Sequence, residues 1–228
     1  RCVFTALPGL GAAAAGPDPI SAARPGVYPG GAGVVTADGT APGARYNGCF
    51  APEPVSGPYT GVWIYTGVDP AVAVGDLVDV KGLYEEYYDF TEVNVTTDVT
   101  GYLTYVGPHM GTLTAANVTV SMLNADPEPW ESVFVQVTNG MVVTAVPNGY
   151  GEWMVESYEA PGQFMMMDDY WYDDTTVLLG DCYDCAVGIY MYAYGVFRLQ
   201  PHEDNICVVD CAVANESLSF GQVKALYR

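Results

Sequence analysis

The stretch that decides the fold is Val74–Val93, VGDLVDVKGLYEEYYDFTEV, which recurs as LGDCYDCAVGIYMYAYGVFRL at Leu179–Leu199. Both copies begin with an apolar residue and Gly-Asp, and both continue through alternating apolar and polar residues into a tyrosine-rich run. This alternation predicts strands with one buried face. A glycine inside such a strand, here Gly82, marks a bulge or the sharp bend that a strand makes in a small barrel.

The second copy carries one extra residue before Gly188. A unit of this length, present twice, predicts a tandem pair of similar β-domains rather than a solenoid of short repeats. The alignment pairs Gly82 with Gly188, Tyr84 with Tyr190, Tyr88 with Tyr194 and Val93 with Leu199.

Strand signals also dominate outside the repeat, because Val, Thr, Tyr and Phe are abundant and are interrupted by Gly and Pro at short intervals. In TGVWIY at 60–65, alternate side chains are expected on opposite faces. Val62 and Ile64 then share one face, and Trp63 and Tyr65 share the other. The sequence therefore predicts an all-β protein.

The second lobe carries GEWMVES at 151–157, which we interpret as the counterpart of TGVWIY. SVFVQVTNGMVV at 132–143 predicts two strands or one bent strand. Helical periodicity is confined to residues 113–123 and to the segment near 218–227.

The organisation along the chain follows from these patterns. We expect two lobes joined near Pro108 and flanked by long terminal segments. Residues 1–26 are rich in Gly, Ala and Pro, and such a tail needs an anchor before it becomes ordered. The predicted boundaries are 1–32 for the N-terminal segment, 33–107 for the first lobe, 108–206 for the second lobe and 207–228 for the C-terminal segment.

Composition limits the partners. Acidic residues number 27 against 7 basic ones, which gives a net charge of −20. Such a surface repels nucleic acids and anionic membranes. No apolar run approaches the roughly 20 residues that span a bilayer. The chain begins at Arg1, so we expect a processed mature chain.

An even number of cysteines with few lysines is typical of an oxidising compartment, which indicates an extracellular or cell-surface protein. Three sequons for N-glycosylation are consistent with export. The six cysteines are Cys2, Cys49, Cys182, Cys185, Cys207 and Cys211, and the sequon asparagines are Asn94, Asn117 and Asn215.

The four C-terminal cysteines allow two interpretations. The spacing of Cys182 and Cys185 with Cys207 and Cys211 loosely fits a zinc site. Residues three apart in a strand point to opposite faces, however, so Cys182 and Cys185 would not share a metal. We therefore favour disulfides that attach the C-terminal segment to the second lobe. A bond from Cys2 to Cys49 would anchor the N-terminal segment in the same way.

The remaining candidates for chemistry are weak. His109 and His202 follow prolines and are interpreted as solvated loop residues, with no serine pattern of a hydrolase beside them. Glu85 and Glu86 are adjacent in a strand and cannot face each other across a substrate. A carboxylate cluster could bind calcium, although a solvated acidic turn is the simpler interpretation. That cluster consists of Asp168, Asp169, Asp173 and Asp174.

Both lobes resemble the OB-fold domains of exported bacterial nucleases and surface lipoproteins. The first lobe matches through GVVTA (33–37), NGCF (47–50), SGPYTGVWIYTG (56–67) and the opening stretch. The second lobe matches through FVQVTNGMVV (134–143), GEWMV (151–155), GIYMYAYGVFRLQP (188–201) and EDNI (203–206). The resemblance implies two tandem OB-fold-like Greek-key barrels. It departs from that family at His202 and at the CYDC and CVVDC segments, and no nuclease catalytic domain accompanies it.

No catalytic constellation emerges, so we expect a protein that is not an enzyme. The first hypothesis is an extracellular structural subunit that assembles with copies of itself, head to tail into a filament. The terminal stretches CVFTAL (2–7) and SLSFGQV (217–223) could each add as a strand to a neighbour. The alternative is a non-catalytic OB-type binding module for polysaccharide or single-stranded nucleic acid, accessory to an exported nuclease.

Overall fold

The computed structural model describes residues 26–37, 47–50, 56–97, 99–170 and 176–209. Their regular structure is predominantly strand, with one short α-helix and a 3₁₀ turn, which confirms the all-β class. The strands of the first sheet are β1 (Gly26–Val34), β2 (Gly48–Phe50), β3 (Trp63–Tyr65), β4 (Asp76–Tyr87), β5 (Phe90–Asn94) and β6 (Tyr102–Pro108). Those of the second are β7 (Ala116–Val118), β8 (Phe134–Val137), β9 (Met141–Ala145), β10 (Glu152–Ser157), β11 (Phe164–Asp168), β12 (Cys182–Ala193) and β13 (Val196–Val209).

Five strands of the first sheet are paired in the order β1-β4-β5-β3-β2, and β6 adds to β4. All of these pairs are antiparallel except β3 with β5. A bridge between Ala37, just after β1, and Phe50 of β2 joins the two ends of this order. We call β1 to β5 the first ring.

The second sheet repeats this arrangement. Its order is β13-β11-β10-β9-β12-β8-β7, and an additional pairing of β12 with β13 closes the five strands β9 to β13 on themselves. We call these five the second ring. As in the first ring, the third and fifth strands, β11 and β13, are parallel. The tandem duplication predicted from the sequence is therefore present in the strand topology.

The Gly-Asp pairs that open the repeat form the same turn in both rings. Gly75 and Gly180 have φ of +101° and +89°, which glycine adopts without a steric penalty. The next residue then closes the turn with its carboxylate. Asp76 Oδ2 accepts from the Ala73 amide at 2.7 Å, and Asp181 Oδ2 accepts from the Leu178 amide at 2.7 Å.

The mid-strand glycines are equivalent in the same way. A Cβ at Gly82 would lie 2.6 Å from the Asn94 carbonyl oxygen, and one at Gly188 would lie 2.0 Å from that of Gln200. Both contacts lie between the fourth and fifth strands of a ring. β1 also shifts register at the residues opposite Gly82, as the prediction of a bulge or bend requires.

One sequence match is corrected by the topology. Trp63 lies in β3, the third strand of the first ring, whereas Trp153 lies in β10, the second strand of the second ring. The counterpart of TGVWIY is therefore β11 rather than GEWMVES. Both segments are short apolar strands with a tryptophan, and this pattern does not specify which neighbours a strand pairs with.

Two other local predictions were partly right. The helix predicted over 113–123 is divided into β7 and a short helix α1 (Val120–Ala125), whose N-cap Thr119 accepts a hydrogen bond from the Met122 amide. SVFVQVTNGMVV forms two strands, β8 and β9. β1 begins upstream of residue 33, where the first lobe was expected to start. A 3₁₀ turn (Glu128–Trp130) follows α1.

Each ring encloses its own hydrophobic core, and a third cluster lies between the sheets. Val62 and Ile64 belong to the first core, whereas Trp63 belongs to the cluster between the sheets, as strand alternation predicted. Ile189 and Met191 of β12 enter that cluster from the second sheet. The two sheets are therefore packed against each other through apolar side chains.

Candidate functional site

The cysteines that the structure describes serve as cross-links or core residues. Cys185 and Cys207 face each other across β12 and β13 and form a disulfide with a Cα–Cα distance of 4.9 Å. Cys182 is also disulfide-bonded. Cys49 is buried in the first core. Cys2 and Cys211 lie outside the described residues, so the Cys2–Cys49 pairing stays a prediction.

The sequons differ in accessibility. Asn94 is buried, and its Nδ2 donates to Glu85 Oε1 at 2.8 Å. Asn117 is exposed in the edge strand β7. Asn215 lies outside the described residues. Glycosylation stays a prediction at each of them, and Asn117 is the accessible one of the two whose surroundings are known.

The adjacent glutamates of the opening stretch face different partners. Glu85 accepts from Asn94, and Glu86 Oε1 accepts from Thr91 Oγ1 at 2.7 Å. The main chain of Thr91 also donates to Glu131 Oε2 at 2.9 Å, which joins β5 to the second sheet. Burial, reinforced by nearby Glu128 and Glu86, raises the pKa of Glu131 to about 8. Glu131 is buried and Glu86 is exposed, and neither lines the cleft that lies over β10, β11 and β13.

The two histidines lie in different settings. The main-chain amide of His109 follows β6 and donates to the Gly75 carbonyl at 2.9 Å. The His109 Nε2 atom is buried and has no hydrogen-bond partner among the described residues. Residue His202 falls within β13 rather than in a loop. The prediction of a loop residue is therefore wrong for His202, and the buried Nε2 of His109 departs from the predicted solvated side chain.

The open edge of the first sheet is formed by β6. One edge of β6 pairs with β4, and the other has no partner strand among the described residues. Its exposed side chains include Tyr105 and Val106. No Asp, Glu, Lys or Arg occurs from residue 101 to 111. Natural sheets usually protect such an edge with charges, prolines or bulges. β6 has an irregularity at Val106, where its pairing with β4 shifts register, and it ends at Pro108. The regular, uncharged stretch from residue 102 to 105 is therefore the part of the edge that is open to another strand.

A second candidate site is a cleft on the second ring. It has a volume of about 730 Å³ and lies over β10, β11 and β13. Tyr150 and Tyr194 occupy turns beside it and are 85% and 93% exposed. Tyr194 has φ of +52°, in the left-handed region that non-glycine residues rarely adopt. Gly195 has φ of +86°, so both residues of the turn between β12 and β13 have the positive φ that a tight two-residue hairpin requires.

The floor of the cleft is built around a buried arginine. Arg198 forms ion pairs with Glu152 and with Asp168, the latter at 3.0 Å. Its Nη2 donates to the Ala193 carbonyl at 2.7 Å. These three contacts fix the position of the guanidinium beneath the cleft. Because Asp168 is committed to Arg198, it has less capacity for a calcium ion.

The predicted calcium cluster is only partly described. Asp168 and Asp169 line the cleft, and Asp173 and Asp174 lie outside the described residues. Over the ranges that the structure describes, no group of three or more His, Cys, Asp or Glu side chains is arranged to hold a metal. Calcium binding stays a prediction.

Sequence reasoning missed Arg198, Gln200 and Glu152 as members of one site. Arg198 and Gln200 are alternate residues of a strand, a spacing that places both on one face. That spacing was the available signal. The sequence does not show that these residues lie near Glu152. That proximity depends on β11, which pairs with both β10 and β13.

No protein-family model matches this chain, and no curated protein matches it. The structure supports two barrel-like β-sheets. Neither comparison supports the resemblance to OB-fold domains of a particular family. Among the described residues, no helix has the length and apolar character needed to cross a bilayer.

Proposed function

We propose that this protein is an extracellular, non-catalytic structural subunit that assembles with copies of itself through strand addition at β6. The observation that carries the proposal is the open, uncharged edge of β6. Main-chain hydrogen bonds along such an edge supply affinity for an added strand, and exposed side chains such as Tyr105 supply specificity.

We propose further that both rings are OB-type Greek-key barrels. Support comes from their shared strand order and from the parallel pair of third and fifth strands in each. A barrel has few free edges because its strands pair in a ring. β6 lies outside the first ring, so its free edge is left for an intermolecular contact.

The proposed occupant of the β6 edge is a terminal segment of a second copy. Twenty-five residues precede the first described residue, and they include the strand-like CVFTAL. Fully extended, 25 residues reach roughly 80 Å, enough to reach a neighbouring subunit. A donated strand gives a heterologous contact, which produces an open filament unless the rotation closes a ring.

The proposed location is outside the cell. The Cys185–Cys207 disulfide supports it, because disulfides persist in oxidising compartments and are rare in the cytosol. Accordingly, the tests of assembly should use material that has not been reduced.

A charge placed on the edge tests the proposal. Tyr105 is exposed, so Tyr105→Lys should leave the fold intact and block strand addition, as charged edge residues do in natural sheets. By light scattering, the wild type should form large species and Tyr105→Lys should remain monomeric. Val68→Lys is the control, since Val68 is 68% exposed against 52% for Tyr105 and lies outside the strands. Equal assembly of both variants would rule out the β6 edge as the contact.

A further inference from the structure

The cleft of the second ring contains hydrogen-bonding groups that are not used within the described structure. Arg198 and Gln200 are only 3% and 2% exposed, and both line the cleft. Arg198 Nε and Gln200 Oε1 are buried without a hydrogen-bond partner among the described residues. A buried polar atom left without a partner destabilises the fold, so a ligand that supplies the partner is favoured. Arg198 Nε can donate to a ligand oxygen, and Gln200 Oε1 can accept from a ligand hydroxyl.

The charge of this floor selects against anions. Arg198 is already paired with Glu152 and Asp168, and Asp169 also lines the cleft. With one cation among three carboxylates, the cleft carries no positive charge for a phosphate or a carboxylate group. The net charge of −20 acts in the same direction over the whole surface. Carboxylate oxygens are, however, good acceptors for hydroxyl groups.

The walls provide flat aromatic surfaces. Tyr150 and Tyr194 present their rings to solvent from two different turns. Tyrosine combines a flat apolar face with a polar hydroxyl, which suits a ligand that has both apolar ring faces and hydroxyl edges. The cleft volume of about 730 Å³ is within the range of roughly 300–1,000 Å³ found for small-molecule sites.

The first ring shows that the floor is specific to the second ring. Tyr88 occupies the turn equivalent to that of Tyr194, with φ of +53°. The positions equivalent to Arg198 and Gln200 are Glu92 and Asn94. Asn94 is fully engaged, since its Nδ2 donates to Glu85 and its Oδ1 accepts from the Thr96 amide and hydroxyl. The first ring thus keeps the aromatic turn without the arginine and the unused acceptor.

We propose that the cleft over β10, β11 and β13 binds a neutral carbohydrate, a segment of a polysaccharide chain. Its ring faces would pack on Tyr150 and Tyr194, and its hydroxyls would bond to Arg198 Nε, Gln200 Oε1 and the carboxylates of the floor. This binding is independent of self-assembly through β6, which lies on the other sheet.

Binding to a microarray of neutral glycans, with affinity electrophoresis in a mixed-linkage β-glucan, a galactomannan and dextran, tests the proposal. Wild-type protein should bind at least one neutral glycan with little dependence on salt. Tyr194→Ala should weaken that binding about tenfold, a magnitude typical of an aromatic stacking platform. Gln200→Leu should also weaken it. Tyr88→Ala, at the equivalent turn of the first ring, should bind like the wild type.

Thermal unfolding of each variant shows whether the fold is retained, and Tyr194→Ala is the decisive variant because its side chain is exposed. Three results would overturn the proposal. One is binding to none of the neutral glycans. Another is equal loss in Tyr88→Ala and Tyr194→Ala. The third is preferential, salt-sensitive binding of a single-stranded oligonucleotide, which would indicate a nucleic-acid site.

Discussion

At the scale of the residue, Gly82 and Gly188 show why glycine occupies the same position in both copies of the repeat. Each lies where the fourth strand of a ring meets the main chain of the fifth, and the contact with a carbonyl oxygen leaves no room for a Cβ. A backbone carbonyl that is held in a sheet cannot move aside for a Cβ, whereas the end of a flexible side chain can. The glycine is therefore required by packing at a position where the rest of the strand would favour β-branched residues.

Replacing Gly188 should be costly for that reason. Gly188→Ala places a Cβ 2.0 Å from the Gln200 carbonyl oxygen, so the fourth and fifth strands must separate. We expect a loss of about 2–3 kcal/mol in the free energy of unfolding, measured by urea titration. Gly107→Ala in β6 is the control, because its Cβ would meet nothing within 4 Å. Equal stability of the two variants would show that the close approach is absent.

Glu131 gives a prediction of pH dependence. Burial raises its pKa from 4.5 to about 8, so the folded protein keeps a proton that the unfolded chain has lost. The contribution of the protonated Glu131 carboxyl to the free energy of unfolding is then fully present below pH 4.5. It declines as the pH rises towards 8. Glu92, with a pKa raised to about 7 by burial and then by Glu85, acts in the same direction.

The variant Glu131→Gln should remove this dependence. At pH 5 it should match the wild type, and at pH 8.5 it should be more stable by on the order of 2 kcal/mol. Unfolding by urea at both pH values measures the difference, with Asp69→Asn in an exposed loop as the control. A variant that is less stable than the wild type at pH 8.5 would contradict the assigned protonation of Glu131.

Several residues of this scale could be predicted from the sequence and others could not. Gly82 was identified because glycine interrupts a clear alternation. Arg198 and Gln200 were not identified as a site, because β11 brings β10 beside β13 and this pairing is not encoded near either residue. The local sequence pattern shows where the backbone needs a glycine. The residues that share a cleft are set by contacts between strands that are far apart in the sequence.

At the scale of the element, the strands were predicted better than their neighbours. The alternation in VGDLVDVKGLYEEYYDFTEV defines β4, and the hairpin to β5 follows at Tyr88-Asp89, both in the left-handed region. TGVWIY and GEWMVES were matched wrongly, since a strand of a few residues carries no information about its position in a ring. α1 was predicted too long because Ala116–Val118 pairs with β8 instead.

The end of β13 provides a test at this scale. The Cys185–Cys207 bond closes a loop with a sequence separation of 22 residues, which predicts a stabilisation of about 3 kcal/mol relative to the reduced chain. Melting with and without dithiothreitol should show a lower Tm for the reduced protein. Peptide mapping without reduction should recover Cys185 joined to Cys207. Free thiols at both positions would contradict the cross-link and the oxidising location that it supports.

At the scale of the whole molecule, two similar rings are packed against each other, and the strands outside the rings, β6 in the first sheet and β7 in the second, leave sheet edges open among the described residues. Phe50 and Trp63 of the first ring, with ring centroids 4.7 Å apart, meet Ile189 and Met191 of the second. Gly61 lies against the main chain of Ser132, which leaves no space between the two sheets at that point. A rigid pair of rings with an uncharged free edge suits a building block.

The central claim is that these building blocks join through β6, and electron microscopy of native, unreduced material tests it most directly. The account predicts a helical filament whose repeat is one chain, with a strand from the neighbouring subunit paired along Tyr102–Pro108. A field of single particles of about 24.4 kDa, the mass of one chain, would contradict it. So would a filament in which the outer edge of β6 faces solvent.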